Sequence, residues 1–487
     1  MMEYVTKGLQ PEDALRYFEE ISAIPRGSGN EAAVAEYICN FAKQLGLEAV
    51  RDEANNVIVK KPASPGCEGA APVLLQGHMD MVCVKLPGCD HDFEKDPLKL
   101  KVEDGWLKAE GTTLGADNGS ACAQMMALMA RDDYRHPPIE FVFTSMEEIG
   151  LLGAKALDPA LISARRMLNM DSGASEEYQT VVSCAGGLVY DFKKKPSFVP
   201  AAGEAVELRI SGLQGGHSAI TIGEGRGNGL KLMARVLHAI ASELELQIAH
   251  FEGGMKMNAI VSDALALITV PSGGSARAIE IAQALAGEIR EELRVSDPGF
   301  AFSAKAAALP DKTLCAADSA ALANFLFLLP DGMRFMSQEI PGLVQCSSNI
   351  GILKMSDEEI YLCDCIRTAE PSQGRQLGEE FELLAATFGF DAEQTGGFTG
   401  WKYDPDSKLR ATGMALFEKM FGREMEIQAT HGGLECGEFI GKFPDMDIMT
   451  VAPTCVGAHT TEEAMNLASF DKVMQYLVAL LGALCDE

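Results

Sequence analysis

The clearest indication of the fold is the stretch Val73-Leu74-Leu75-Gln76-Gly77-His78-Met79-Asp80. A short apolar run of this kind is typical of a strand buried on both faces, and here it ends on polar side chains. The same arrangement recurs twice, because residues 139–144 stop just before Glu147-Glu148 and residues 166–170 stop at Asp171. Polar groups at the carboxyl ends of successive strands indicate an open α/β sheet with its site beyond that edge.

Helical signals surround these strands. Residues 119–131 are predicted to form a helix that begins at Asp117-Asn118. Ser28-Gly29-Asn30 is predicted to cap another helix that runs to about Leu45. Near the end of the chain, residues 461–484 are predicted to be helical. The alternation of strands and helices is that of an α/β domain.

The character of the sequence changes after about Gly186. Half-exposed strands replace the buried runs, and a long helix is predicted to begin at Asn228. Asparagine at such a position more often caps a helix than binds a ligand. Asn258-Ala259-Ile260-Val261 and Asn349-Ile350-Gly351-Ile352 each precede a strand, and this internal echo predicts an α+β insertion of two related halves. The expected domains are a catalytic domain of residues 1–186 and 398–487 and a lid domain of residues 187–397.

Composition and charge exclude several classes of function. The chain has 487 residues, 47% of them hydrophobic, and a formal net charge of −29. A protein this acidic is not expected to bind nucleic acid or an anionic membrane, and it lacks the run of about 18 apolar residues that indicates a membrane span. The first residues show no secretory signal, and the 13 cysteines have no paired CxxC spacing. These features predict a cytoplasmic protein.

Seven acidic or imidazole side chains are candidates for a single site: His78, Asp80, Asp117, Glu147, Glu148, Asp171 and His459. Each alone has an ordinary explanation, such as a structural histidine, a helix cap or a solvated acidic pair. Repeated placement at strand ends is much harder to explain in that way. Buried together, these groups would repel one another unless cations were present. The sequence therefore predicts two divalent metal ions and a base.

Several motifs together resemble those of the M20 family of metallopeptidases, over essentially the whole chain. They are His78-Met79-Asp80, Leu114-Gly115-Ala116-Asp117-Asn118-Gly119, Met146-Glu147-Glu148-Ile149-Gly150, Asn169-Met170-Asp171-Ser172, Gly212-Leu213-Gln214-Gly215-Gly216-His217-Ser218 and His459. The long middle segment and the stretch His431-Gly432-Gly433-Leu434-Glu435-Cys436-Gly437 are most similar to the aminoacyl-histidine dipeptidase branch. The resemblance implies a zinc-peptidase-like α/β catalytic domain, with a mixed central sheet and helices on both faces, and an inserted α+β lid domain.

The resemblance also implies roles at the site. The implied ligands are Asp117, shared by both ions, His78 and Asp171 for one ion, and Glu148 and His459 for the other. Asp80 would orient His78, and Glu147 would be the general base for attack by an activated water. Zinc is the favoured metal, although carboxylate and imidazole ligands also suit cobalt and manganese. The implied substrates are dipeptides of the Xaa-His type, such as carnosine.

Four residues of the middle segment or after it are implied to bind the substrate: His217, Asn258, Arg367 and His431. His217, together with Asn258, would donate to the oxyanion, and Arg367 would hold the C-terminal carboxylate of the peptide. Plainer explanations exist for three of them: a turn residue for His217, a surface ion pair for Arg367 and a structural loop for His431.

The sequence leaves several alternatives open. The same machinery would serve a broader di- or tripeptidase, a deacylase or a carboxypeptidase, and a metal-binding scaffold without activity is a further alternative. The strand at residues 264–270 lacks the pair formed by Asp364 and Arg367. If the lid is duplicated, only its second copy keeps the carboxylate grip, and one chain would supply what relatives with shorter lids borrow from a partner subunit. Monomer and homodimer remain open.

Overall fold

The computed structural model describes residues 4–171 and 176–486, so Ser172 of the fourth motif lies outside the described residues. These residues divide into two compact units. The first unit comprises the residues up to Cys184, Thr399–Thr430 and the residues from Leu434 onwards. The second unit comprises Ala185–Phe398 and His431–Gly433. None of the described helices is both long and apolar enough to cross a membrane.

The first unit begins with helices and strands that alternate along the chain. The helices are α1 (Glu12–Ser22), α2 (Ala32–Gln44), α3 (Ala116–Ala130) and α4 (Leu152–Ala156). The strands are β1 (Glu48–Arg51), β2 (Val57–Lys61), β3 (Val73–His78), β4 (Leu100–Glu103), β5 (Trp106–Ala109), β6 (Ile139–Thr144), β7 (Arg166–Asn169) and β8 (Gln179–Cys184).

The second unit contains a further set of strands and four long helices. The strands are β9 (Gly186–Lys194), β10 (Phe198–Pro200), β11 (Glu204–Ser211), β12 (Gly216–His217), β13 (Gln247–Gly253), β14 (Ala259–Ile260), β15 (Ala264–Val270), β16 (Ala301–Ala307), β17 (Lys312–Leu314), β18 (Gly332–Met336), β19 (Val344–Met355), β20 (Ile360–Thr368) and β21 (Asp391–Phe398). The helices are α5 (Gly229–Ala241), α6 (Ser275–Glu292), α7 (Ala316–Leu328) and α8 (Pro371–Phe388).

The chain then returns to the first unit. Its remaining helices are α9 (Lys408–Phe421), α10 (Glu435–Lys442) and α11 (Leu467–Ala483). Its remaining strands are β22 (Glu426–Thr430), β23 (Asp447–Thr450), β24 (Cys455–Val456) and β25 (Ala464–Asn466).

The central sheet of the first unit has the strand order β1-β2-β6-β3-β7-β23. Strands β6, β3, β7 and β23 are parallel, and β1 and β2 are antiparallel to their neighbours. Alternate residues face opposite sides, as a strand requires. Leu75 and Phe141 pack in the cluster formed with α1, α3 and α11, whereas Leu74 and Val142 pack in the cluster formed with α4 and α10. The predicted mixed sheet with helices on both faces is confirmed.

The main sheet of the second unit is antiparallel, with the order β16-β11-β15-β13-β19-β20-β9-β21 and β18 paired to β19. From each edge to the middle, the strand order is β16-β11-β15-β13 in one half and β21-β9-β20-β19 in the other. In both halves, the edge strand is the last of the four along the chain, and it is followed by the first, the third and the second. Residues from α5, α6, α7 and α8 share one hydrophobic cluster with the strands. This unit has the α+β composition expected of the inserted domain.

Two local predictions are wrong. Residues 464–466 form strand β25, which pairs with β5, so α11 begins only at Leu467, with the Asn466 side chain as its cap. Ser28 does not cap α2, because that helix begins at Ala32 and the Ser28 hydroxyl donates to Asp80 instead. The predicted cap at Asn228 is confirmed, since its side chain accepts from the N–H of Leu230 at the start of α5.

Candidate metal centre

Three neighbouring strands bring predicted ligands to one edge of the central sheet. Strands β6, β3 and β7 are parallel, so their carboxyl ends meet at the same edge. His78 is the last residue of β3, Glu147 and Glu148 follow β6, and Asp171 follows β7. The backbone at Glu147-Glu148 is not helical, which allows the two adjacent side chains to point in different directions.

Asp117 reaches this edge from the start of α3. The helix begins at Ala116, but Asp117 and Asn118 have non-helical backbone angles and are joined by a cis peptide bond. The amide of Asn118 donates to the carbonyl of Met170, 3.1 Å away, just after β7. The predicted helix start is therefore close, but the Asp117-Asn118 pair departs from regular helix, and the Asn118 side chain is bound beside the end of β7.

The carboxylate of Asp117 lies between the two predicted imidazole ligands. Its Oδ1 is 3.0 Å from Nε2 of His78, and its Oδ2 is 3.3 Å from Nε2 of His459. The same His459 nitrogen is 2.8 Å from Oε1 of Glu148, and the His78 nitrogen is 3.8 Å from Oδ2 of Asp171. The structure thus brings all five predicted ligands together, with one oxygen of Asp117 towards each half of the cluster.

The donor set fits divalent cations. One donor atom each from His78, Asp117 and Glu148 lie within 4.8 Å of one another. Imidazole nitrogens and carboxylate oxygens, without thiolates, are ligands for zinc, cobalt and manganese. One set of ligands lies on each side of the Asp117 carboxylate, and this arrangement suits two neighbouring ions that share it.

The pKa shifts of these side chains also support a cation-binding site. Burial raises the pKa of Asp171 to about 8, and the nearby carboxylate of Asp117 adds to the shift. Burial also raises the pKa of Glu147 well above its usual range, although the charge of His78 opposes the shift. Hydrogen bonding, first of all with Asp117, raises the pKa of His459 to about 10. Asp171 and Glu147 are thus shifted towards their protonated forms, and, although burial opposes the shift, His78 and His459 lower the pKa of Asp117 between them. Cations bound at the same place would favour the ionised form of each acid.

Asp80 connects the imidazole of His78 to the loop that carries the two glutamates. Its Oδ1 lies 3.4 Å from Nδ1 of His78 and accepts from the N–H of Glu147 at 3.0 Å. Its Oδ2 accepts from the N–H of Glu148 at 3.2 Å and from the hydroxyl of Ser28 at 2.8 Å. The fully buried Asp80 therefore fixes a ligand and the predicted base at the same time.

Two buried charges that the sequence did not reveal hold the loop before Asp117. The carboxylate of Glu463 accepts from the N–H groups of Leu114, Gly115 and Asp117 at 2.8 to 3.2 Å. The guanidinium of Arg26 donates to the carbonyls of Met79 and Gly115. Glu463 follows His459 by four residues, which is the one sequence signal that could have suggested it.

The predicted oxyanion donor, His217, lies in the second unit beside Asn258. Its Nδ1 accepts from the N–H of Ala219 at 3.1 Å, and its Nε2 is 3.3 Å from the Asn258 amide. Burial, together with the charge of Arg367, lowers the pKa of His217. In the neutral ring, Nδ1 is occupied as an acceptor, so Nε2 carries the proton, and Nε2 and the side-chain nitrogen of Asn258 are two adjacent donors that do not bond to each other. The outer nitrogen of His217 is therefore a hydrogen-bond donor.

Arg367 lies in β20 of the same unit and is only 6% exposed. Its Nε donates to the hydroxyl of Ser218 at 3.2 Å, and its guanidinium lies 5.6 Å from the centre of the Phe398 ring. Within residues 4–171 and 176–486, no carboxylate forms an ion pair with it. The surface ion pair considered from the sequence is therefore not observed, and a buried cation is left without an anion.

His431 is buried in the second unit, where its Nε2 lies 2.7 Å from the hydroxyl of Ser347. Ser347 is the cross-strand neighbour of Arg367 in the β19–β20 pair. Burial, with the charge of Arg367 in addition, lowers the pKa of His431 to about 4. The ring is therefore neutral at neutral pH and accepts from Ser347.

Comparison with known proteins gives matches over nearly the whole chain. The sequence profile of peptidase family M20/M25/M40 matches residues 74–483. The cytosol non-specific dipeptidase of Escherichia coli (strain K12) is 33% identical over 479 residues, which cover 97% of this chain and 98% of that protein.

Solved structures are similar as well. An aminoacylhistidine dipeptidase from Vibrio alginolyticus has a TM-score of 0.90 at 32% identity, covering 99% of this chain and 98% of that chain. The aminopeptidase PepT from Bacillus cereus has a TM-score of 0.56 at 18% identity, covering 98% of this chain and 99% of that one, and shares the fold. These similarities confirm the fold predicted from the sequence.

Proposed function

Because the chain belongs to peptidase family M20/M25/M40, we propose that it is a dipeptidase that uses two divalent metal ions and Glu147 as its general base. The family predicted from the sequence motifs is confirmed by this membership, which makes the chain a peptide hydrolase. The first unit would be its catalytic domain and the second its lid. Two similar proteins, from Escherichia coli and Vibrio alginolyticus, are both named dipeptidases, which supports the substrate class.

The observation that carries the proposal is the position of Asp117, whose two oxygens each face a different imidazole. We assign His78 and Asp171 to one ion and Glu148 and His459 to the other, with Asp117 shared. When bound, two such ions polarise the scissile carbonyl and lower the pKa of a water molecule towards about 7. Zinc is our preferred metal, with cobalt and manganese as substitutes.

Proton transfer would then fall to Glu147. Burial raises the pKa of this carboxyl group, so it is suited to take the proton of the attacking water and pass it to the leaving amine. Asp80 holds the backbone N–H of Glu147 at 3.0 Å. This contact keeps the base in place while the proton moves.

The second unit would bind the peptide. The Nε2–H of His217, with the neighbouring amide of Asn258, would donate to the oxygen that becomes negatively charged during attack. Arg367, buried and without an ion-pair partner among the described residues, would bind the C-terminal carboxylate of the peptide. His431 would line the same side of the substrate through its contact with Ser347.

We further propose a preference for Xaa-His dipeptides and activity in the cytosol. The name of the Vibrio alginolyticus protein supports the first statement, and the name of the Escherichia coli protein supports the second. The Escherichia coli name also states that its specificity is broad. A broader dipeptidase is therefore the second candidate.

Metal analysis combined with kinetics tests these proposals. We expect two divalent ions per chain, loss of activity on chelation and recovery with zinc. Carnosine and other Xaa-His dipeptides should have a kcat/KM at least about tenfold above that of dipeptides without histidine, a difference of about 1.4 kcal/mol. Equal rates for both sets would favour the broader dipeptidase. Equal rates for peptides with free and amidated C-termini would contradict the role of Arg367.

A further inference from the structure

A row of buried polar side chains lies under the candidate metal centre. The row begins at Glu435, which is the first residue of α10 and is 0% exposed. Oε2 of Glu435 accepts from the hydroxyl of Thr144 at 2.6 Å and from the side-chain amide of Gln76. Gln76 belongs to β3 and Thr144 to β6, so one carboxylate from a helix joins two strands of the sheet.

The row continues to the third strand. The side-chain amide of Asn169, in β7, donates to Oε1 of Gln76 at 2.6 Å. Oδ1 of Asn169 then accepts from the N–H of Asp171 at 3.2 Å. Asn169 and Gln76 are direct neighbours in the β3–β7 register. The contacts therefore run without a break from Glu435 to the backbone of a proposed ligand.

The position of this row relates it to the metal ligands. Gln76 and His78 are two residues apart on β3, so their side chains share one face. Thr144 is the register partner of His78 and precedes Glu148 by four residues. Backbone hydrogen bonds between these strands continue to Met79 and Met170, just past the ends of β3 and β7. The buried row adds side-chain contacts across all three strands directly before that point.

We propose that Glu435 is a positioning residue of the metal centre, holding the ends of β3, β6 and β7 so that His78, Glu148 and Asp171 reach the same pair of ions. This inference rests on the proposed di-metal function. Glu435 acts through hydrogen bonds to Gln76 and Thr144, which would lose their shared buried acceptor if it were removed.

Two substitutions at this position separate hydrogen bonding from charge. Glu435→Gln keeps an acceptor oxygen for Gln76 and Thr144, whereas Glu435→Ala removes it. We expect Glu435→Ala to weaken zinc binding and to lower kcat by about 10- to 100-fold, as loss of an outer contact to metal ligands typically does. KM should change much less, and Glu435→Gln should stay close to the wild type.

Zinc affinity is measured by competition with a chelating dye, and the geometry of the site by the visible spectrum of the cobalt-substituted protein. The matched control is Glu140→Ala. Glu140 is a buried carboxylate at the opposite end of β6, bound to Ser163 and to the N–H of Ala164. This variant should lower the unfolding temperature without changing zinc affinity or the cobalt spectrum. Thr144→Val removes one donor in an isosteric side chain. It should weaken zinc binding and change the cobalt spectrum in the same direction as Glu435→Ala.

The outcomes distinguish this inference from the function on which it rests. A wild-type chain that binds no divalent ion overturns both. A wild type with two ions, beside Glu435→Ala and Thr144→Val variants of unchanged affinity and spectrum, overturns the positioning role alone. Equal losses in Glu435→Gln and Glu435→Ala also overturn it, because the effect would then come from charge and not from the shared acceptor.

Discussion

Burial shifts the pKa values of two candidate site residues, an acid in the first unit and an imidazole in the second, in opposite directions. In the first unit it raises the pKa of Asp171 to about 8, and the carboxylate of Asp117 adds to this shift. In the second unit it lowers the pKa of His431 to about 4, and the guanidinium of Arg367 adds to this shift. The neighbouring charge is thus negative in one unit and positive in the other.

This difference suits the two units to different tasks, namely metal binding in the first and substrate binding in the second. The first unit gathers more negative charge than its own cations balance, which suits it to hold metal ions. The second unit buries the guanidinium of Arg367 without an ion-pair partner among the described residues, and the pKa values of His217 and His431 are lowered there. It is suited to hold a carboxylate and to donate to a developing oxyanion. Three substitutions test this division, from the largest expected effect to the smallest.

The largest effect is expected for Glu147→Ala, which tests whether the acids of the first unit divide into ligands and a base. Loss of a general base typically lowers kcat by about 10²- to 10⁴-fold. Since Glu147 is not a proposed ligand, the variant should keep both ions. Turnover of a dipeptide and metal content, determined on the same sample, provide the measurement.

The adjacent Glu148→Ala is the matched control. It removes a carboxylate of the same size, one residue away, but Glu148 lies 2.8 Å from His459 and is a proposed ligand. Its activity should fall together with its metal content and should recover in part at high zinc concentration. Full activity of Glu147→Ala with both ions present would refute the assigned base, and loss of metal from that variant would move it among the ligands.

A smaller effect is expected for Arg367→Ala, which tests whether the cation of the second unit binds the substrate. A hydrogen bond to a charged group is worth about 1.5–3 kcal/mol, so KM for a dipeptide should rise by roughly 10- to 150-fold. An amidated dipeptide, already a poor substrate, should be affected much less. Arg235→Ala is the control, because Arg235 forms an exposed ion pair with Glu292 in the same unit. Equal losses for free and amidated peptides would contradict a carboxylate grip.

The sequence predicted these functional groups to different degrees, for a physical reason. His78 was predicted as a site residue because it ends a buried apolar strand, and Glu148 and Asp171 because they come shortly after one. This signal is local in the sequence. The open α/β sheet followed from the same strands. The family resemblance added the mixed sheet and the lid.

Glu435, Glu463 and Arg26 were not predicted as parts of the site, because their partners are distant in the sequence. Glu435 meets Gln76 across 359 positions of the chain, and Glu463 meets Leu114 across 349. Nothing in the local sequence of either glutamate marks it as buried, and a glutamate near the start of a helix is commonly solvated. Arg26 is similar, since its partners are backbone carbonyls, which have no sequence signature. Such contacts exist only once the chain has folded.

The smallest effect is expected for the pH dependence of stability in His431→Gln. The folded-state pKa of His431, about 4, lies below the ordinary value of about 6.5. Between these values the unfolded chain binds more protons, so this residue stabilises the fold above pH 6.5 and loses that contribution as the pH falls.

From pH 7.5 to 5.5, wild type should lose about 1 kcal/mol more unfolding free energy than His431→Gln, which keeps an acceptor for Ser347 but does not titrate. Urea titrations of both chains without metal provide the measurement. Parallel curves for wild type and His431→Gln would show that His431 is not held neutral beside Arg367, and the contrast between the two units would then rest on Arg367 and His217.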